Sequence, residues 1–219
     1  MSPRLGLPSD IEAVTDAVIR TMPLDPQWDY RFPYRHQYPA DHYKYTRMLF
    51  EYFLDPSYDD WLVMVAEDSL EPGSTTSVVS FGVFNVSYLN KRRYGAAVTE
   101  VEKRGGKNRR DANHKHYNEF WHGQIRAYKK LFGPFGPEQI HLQILGTLPE
   151  FQRRGHASSL CRWAMELVRR DSLKDMSVMA SPMGYNLYKW LGFKKGCNLL
   201  HTGSRGRGEG GATGDDVQT

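Results

Sequence analysis

The sequence predicts an α/β domain, and three observations carry that expectation. Two strand-like runs flank a Pro-Gly turn in the first half of the chain. Between residues 139 and 170 a strand pattern, a Gly-containing loop and an amphipathic helix follow one another. The 219 residues are 40% hydrophobic and 13% aromatic against 25% charged, enough apolar material for a packed core. The longest wholly apolar stretch, residues 61–66, falls far short of the roughly 20 needed to cross a bilayer, and no charged-then-apolar leader opens the chain. A soluble chain with no membrane partner, not secreted by the usual route, is expected.

The elements follow in order. Ser9 and Glu12 have capping-box spacing, and Ile11, Val14, Val18 and Met22 then recur at helical spacing until Pro23. Residues 28–45 mix seven aromatics with Pro33 and Pro39, which reads as a loop leading to a second helix over residues 41–54. Residues 61–67 and 77–89 read as the strands of an antiparallel hairpin, with Glu71-Pro72-Gly73-Ser74 as its turn. Residues 91–137 break the pattern and read as an insertion that holds a basic cluster at 103–110, a helix near 114–132 and the breakers Gly133 to Pro137. A strand at 139–147, a tight loop at 149–155 and a helix at 157–170 follow; the helix carries Ala157, Leu160, Cys161, Ala164, Leu167 and Val168 on one face. A strand at 176–180, a short helix at 184–191 and a last strand at 194–200 complete a single domain over residues 1–200. Six glycines among residues 201–219 predict a disordered tail.

Net charge is +4, but residues 91–130 hold twelve Lys or Arg and four Asp or Glu, a local +8 that leaves the rest at −4. The basicity belongs to one segment. Two cysteines, Cys161 and Cys197, do not make a disulfide framework, so a reducing compartment is expected, cytoplasmic or nuclear.

Gln152-Arg153-Arg154-Gly155-His156-Ala157 joins a strand to a helix start, where backbone N–H groups can converge on an anion and the arginines add charge toward phosphate oxygens. With its flanks, from Leu142 to Ala157, this segment resembles motif A of the GNAT superfamily of acyl-CoA-dependent acetyltransferases. Downstream, Leu187-Tyr188-Lys189-Trp190-Leu191-Gly192-Phe193 resembles the family's closing motif. Ala180-Ser181-Pro182-Met183-Gly184 is similar to a variant of fungal members. The resemblance covers residues 139–195, about a quarter of the chain. His156 stands where the family more often has an aliphatic residue, and Ser181 where many members have asparagine.

The resemblance implies a mixed, mostly antiparallel sheet with a splayed central strand pair and helices on both faces. It implies acetyl-CoA as co-substrate, held along Ile144, Leu145, Gly146 and Thr147 and by Gln152, Arg153, Arg154, Gly155, His156, Ala157 and Ser158. It also implies direct attack of an amine on the bound thioester, with Tyr188 as the acid that protonates the leaving thiolate. A phenol with a pKa near 10 keeps its proton at neutral pH; the alternative is a core tyrosine.

His141 is the nearest candidate base on the central strand; His114 and His116 could reach in from the insertion, and for each histidine a structural or solvated role is the simpler reading. His114, His116 and His122 find no partner set, so no metal is assigned. Cys161 reads as a buried small hydrophobe. Tyr30, Phe32 and Tyr34 are candidate walls of an acceptor pocket.

The expected function is acetyl transfer from acetyl-CoA to a primary amine, less readily a hydroxyl, of a small molecule, by a monomer or homodimer. Two other readings stand beside it: a basic insertion that binds nucleic acid or an acidic protein, and a GNAT-like fold put to another reaction on a natural-product intermediate.

Overall fold

The computed structural model of the chain describes residues 2–88, 102–196 and 199–201. Among them a seven-stranded sheet runs in the order β1-β2-β3-β4-β5-β7-β6, from β1 (Arg4–Leu5) through β2 (Trp61–Asp68), β3 (Ser77–Asn85), β4 (Gln139–Thr147) and β5 (Asp175–Val178) to β7 (Leu199–His201) and β6 (Lys194–Gly196). Only the β4–β5 pair is parallel; every other neighbour is antiparallel. The sheet is mixed, mostly antiparallel and covered by helices on both faces, the fold class the sequence predicts.

Strand alternation sends alternate side chains to two cores. On one face Val63, Val65, Val79, Phe81 and Val83 pack with Val14, Ala17 and Val18 of α1 (Ile11–Thr21) and with Phe50 and Phe53 of α3 (Pro39–Leu54). On the other, Met64, Phe84, Ile140 and Leu142 meet Leu160, Cys161, Ala164, Leu167 and Val168 of α5 (His156–Arg170), five of the six apolar positions read from the sequence, Ala157 lying outside this core. Burial pushes the Cys161 thiol up to about 12, which leaves it protonated and inert. Among the described residues no helix is long and apolar enough to cross a membrane.

Several boundaries differ from the sequence reading. Residues 28–45 are not one loop: α2 (Pro26–Arg31) runs into their start, with Pro26 in its first turn and Asp25 accepting from the Gln27 amide, and α3 starts at Pro39 rather than at 41. The strand expected over 77–89 ends at Asn85, and residue 89 lies outside the described residues. The strand expected over 176–180 runs Asp175–Val178. The single last strand over 194–200 is two short antiparallel strands, β6 and β7. His201, assigned to the tail, closes β7, while the rest of that tail and residues 91–101 of the insertion lie outside the described residues.

Candidate functional site

Two irregularities in β4 open the sheet. Its pairing with β5 covers only Gln139–Leu142 against Asp175–Val178, whereas β4 itself continues to Thr147. On its other side Val83 pairs with Ile144 and Phe84 with Leu142, so Gln143 is an extra residue, a bulge that inverts the facing of everything after it. Ile140 and Leu142 accordingly face the α5 core, while beyond the bulge Leu145 faces that core and Ile144 the opposite one. The Leu148 amide donates to Val79 O, so alternation turns the polar backbone groups of Gly146 toward β3, where Ser80 Oγ donates to Gly146 O. Those of Leu145 and Thr147 face the gap. Of the four strand residues expected at the cofactor, these two offer backbone hydrogen bonds and Ile144 and Gly146 supply the wall.

The gap leads to the start of α5. Gly155 is its N-cap at φ 93°, a left-handed conformation that suits glycine, and it has no side chain to satisfy the first-turn amides of His156, Ala157 and Ser158. Arg153 also adopts positive φ, 64°. Gln152 Nε2 donates to Thr147 O at 3.3 Å, which ties the loop to the strand.

Two expected phosphate contacts are otherwise occupied. Arg154 reaches Asp68 (3.3 Å) and lies over the Phe151 ring, and His156 Nε2 is 2.9 Å from Asp68 Oδ2. The Asp68 carboxylate at the end of β2 draws both side chains away from the loop mouth, so they brace the loop. Arg153 stays on the lining.

Gap and loop open into a cavity of about 1060 Å³ that passes Tyr188 and continues between α1, α2 and α4 (His114–Leu131). Tyr188 of α6 (Tyr185–Trp190) lines it, buried against Phe193 and over Gly184, where a Cβ would sit 2.8 Å from the ring. Burial raises its phenol well above 10, so it is a proton donor rather than a phenolate. Thr21 Oγ1 is buried on the same lining with no hydrogen-bond partner among the described residues, and its methyl approaches Gly146.

His141 also lines the cavity, but it is enclosed by Tyr128 and Phe132 and bonded through Nδ1 to Ser177 Oγ at 2.8 Å. Desolvation lowers its pKa from 6.5 to about 3, which makes it a weak base at neutral pH. That environment speaks against the base role read from the sequence.

The far wall is aromatic. Trp28 and Phe32 point inward from α2 at i, i+4, and Tyr117, Phe120, Trp121 and Gln124 come from α4. Of the three expected acceptor residues only Phe32 lines this cavity. Tyr30, on the opposite side of α2, is 46% exposed, stacks on His116 at 4.0 Å and donates to Glu119. Tyr34 is equally exposed and borders a separate surface hollow together with His114. A six-residue helix hidden between prolines conceals the periodicity that separates Trp28 and Phe32 from Tyr30.

Behind this wall runs a buried polar chain absent from the sequence reading. Arg109, 4% exposed, donates to both oxygens of the fully buried Asp111 at 2.8 and 2.7 Å. His42 Nδ1 lies 2.6 Å from Asp111 Oδ2, and Trp28 Nε1 donates to His42 Nε2 at 3.2 Å. The Trp28 bond therefore places the proton of a neutral His42 on Nδ1, facing Asp111. The guanidinium of Arg109 also lies 4.5 Å from the Phe32 ring centre. Asn113 N donates to Arg31 O and Tyr34 N to Asp111 O, which stitches this segment to α2.

The basic cluster is thus largely neutralised in place. Arg104 pairs with Glu51, Arg109 with Asp111 and Arg110 with Asp41. Among the described residues no group of three His, Cys, Asp or Glu could hold a metal.

No family model matches the sequence, and no curated protein matches it. Solved structures share the fold. The PaiA N-acetyltransferase from Thermoplasma acidophilum, in complex with coenzyme A, superposes with a TM-score of 0.53 at 12% identity, covering 93% of this chain and 100% of that one. A mosquito arylalkylamine N-acetyltransferase, like 5b, gives 0.55 at 14% identity over 88% of this chain and 82% of its own. A histone acetyltransferase HPA2-related protein from Corynebacterium glutamicum gives 0.53 at 15% identity over 94% and 98%. The chain has the fold of GNAT acetyltransferases.

Proposed function

We propose that this chain transfers an acetyl group from acetyl-CoA to a primary amine of a small molecule. One observation carries the reading: the gap beside β4, the uncapped first turn of α5 and the aromatic wall open into one continuous cavity. The neighbours, one of which is held with coenzyme A, support the same assignment.

The residues present fit such a co-substrate. The amides of His156, Ala157 and Ser158 and the Arg153 guanidinium suit a pyrophosphate, and the Leu145 and Thr147 backbone suits an amide-bearing arm added as a strand would be. Thr21 Oγ1 provides one more polar contact at the strand. Acetyl-CoA supplies an electrophilic thioester.

The chain's own groups then orient the reactants and handle protons. Trp28, Phe32 and Tyr117 exclude water around the amine and position it. The Tyr188 hydroxyl gives its proton to the sulfur as the C–S bond breaks and negative charge develops there, and the proton shed by the attacking nitrogen restores the phenol, so no phenolate is left in the buried site.

Calorimetric titration of acetyl-CoA into the wild type and Gly155→Glu tests the proposal. Glutamate would place a carboxylate and a strained left-handed residue at the anion site, so binding is expected in the wild type and a loss of 100-fold or more in the variant, with the fold checked by circular dichroism. Absence of wild-type binding, or equal binding by both, would overturn it.

A further inference from the structure

Two arginines line the far wall, and the protein treats them differently. Arg109 is answered internally by both oxygens of Asp111. Arg31 has no ion pair among the described residues. Its Nε donates to Gln27 O at 2.9 Å, which fixes the stem. The guanidinium is then held over aromatic rings, with its carbon 3.9 Å from the Phe120 ring centre, 5.0 Å from Trp28 and 5.3 Å from Phe32. Aromatic faces attract a cation but accept none of its terminal N–H hydrogens in the plane of the fork.

Desolvation lowers the Arg31 pKa to about 10 against the opposing pull of Tyr117 and Asp25, so the group is charged at neutral pH. Arg31 is half-buried on the cavity lining, so its terminal donors are open to an anion that enters the cavity. The Trp28 N–H cannot serve a ligand at this wall because His42 accepts it. Arg31 is therefore the strong directional donor this part of the cavity offers. The carboxylate among the described lining residues is Asp25, fixed at the N-cap of α2 by the Gln27 amide.

We propose that the acceptor is a carboxylate-bearing amine of amino-acid type, its carboxylate bound by the terminal nitrogens of Arg31 and its apolar or aromatic body laid against Trp28, Phe32 and Phe120. The assignment of this wall to the acceptor rests on the acetyl-transfer reading; the binding of a carboxylate does not.

The test uses phenylacetate, which carries the body and the carboxylate without a reacting amine, titrated calorimetrically into the wild type, Arg31→Gln and Arg31→Lys. The expected result is wild-type binding, weakened 10-fold or more in Arg31→Gln and less in Arg31→Lys, which keeps the charge but loses the fork. Equal affinity in the wild type and Arg31→Gln, or no wild-type binding, would overturn the inference. A parallel acetyl-CoA titration of the same three proteins reports their integrity: acetyl-CoA binding with Arg31-independent phenylacetate binding sinks this inference alone, and phenylacetate binding without acetyl-CoA binding sinks the acetyl-transfer reading alone.

A second readout follows where turnover is present. The ratio of KM for tyramine to KM for tyrosine, which differ by the carboxylate, is expected to exceed one in the wild type and to fall about 10-fold in Arg31→Gln; an unchanged ratio contradicts the proposal.

Discussion

The two walls of the cavity are built on different principles. The wall formed by β4 and the start of α5 is mostly backbone: a strand that outruns its neighbour, a bulge at Gln143, and a helix whose N-cap is a left-handed glycine. The facing wall is made mainly of side chains from two distant segments, Trp28 to Phe32 and Arg109 to Gln124, locked from behind by the Trp28–His42–Asp111–Arg109 chain. A backbone wall recognises whatever shares its hydrogen-bonding geometry, whereas a side-chain wall can be changed one residue at a time. The contrast suits a common co-substrate on one side and a particular acceptor on the other.

The largest expected effect breaks the side-chain wall. Asp111→Ala leaves the buried Arg109 charge and His42 without their partner, a loss of about 3–5 kcal/mol, measurable as a lower urea midpoint. A loss under about 1 kcal/mol would mean that the chain does not hold this wall. On the other wall, Tyr188→Phe is expected to lower kcat about 100-fold while acetyl-CoA affinity stays within about 2-fold, because the hydroxyl is needed for proton transfer and not for the backbone contacts. Unchanged kcat in a stopped assay of thiol release would remove Tyr188 from the chemistry.

Acid sharpens the comparison further. Burial would raise the Asp111 pKa, but hydrogen bonds from Arg109 and His42 outweigh it and hold the carboxylate below its ordinary range. Its contribution is present above the unfolded carboxylate value and lost as pH falls through the folded one. His141, whose pKa drops from 6.5 to about 3, adds a loss at higher pH: the unfolded chain takes up that proton below 6.5, and the folded chain does not until about 3. Unfolding free energy is therefore expected to fall by up to about 1.4 kcal/mol per pH unit between pH 6 and 4, and His141→Gln should flatten that slope. A flat wild-type profile would contradict the burial assigned to His141.

The smallest effect is a control. Tyr30→Ala and Tyr34→Ala, on exposed side chains outside the cavity, should change stability by about 0.5 kcal/mol or less and leave acceptor KM unaltered, whereas Phe32→Ala should raise it.

The backbone wall was the legible one. Its signals are local: an apolar strand, Gly155 at a helix start, and Tyr188 and Phe193 at fixed distances, all within one stretch of chain. The bulge at Gln143 was not legible, because it exists only as a register against β3. Arg154 and His156 misled for a related reason: their partner, Asp68, lies 86 and 88 residues away.

The side-chain wall escaped the sequence reading almost entirely. Pro33 and Pro39 among the aromatics made residues 28–45 read as loop, and the basic run from 103 to 110 stood out as an uncompensated cluster because its acidic partners Asp41 and Glu51 sit on α3. The helical spacing of the aromatics Tyr117, Phe120 and Trp121 within the helix expected near 114–132 was the signal available for that wall.

Hydrogen–deuterium exchange with and without acetyl-CoA separates the roles of the two walls. Protection is predicted at the Leu145 and Thr147 amides and across His156 to Ser158, with α2 and the first turns of α4 unchanged. Protection centred on Arg109 to Gln124, with none along β4, would contradict it.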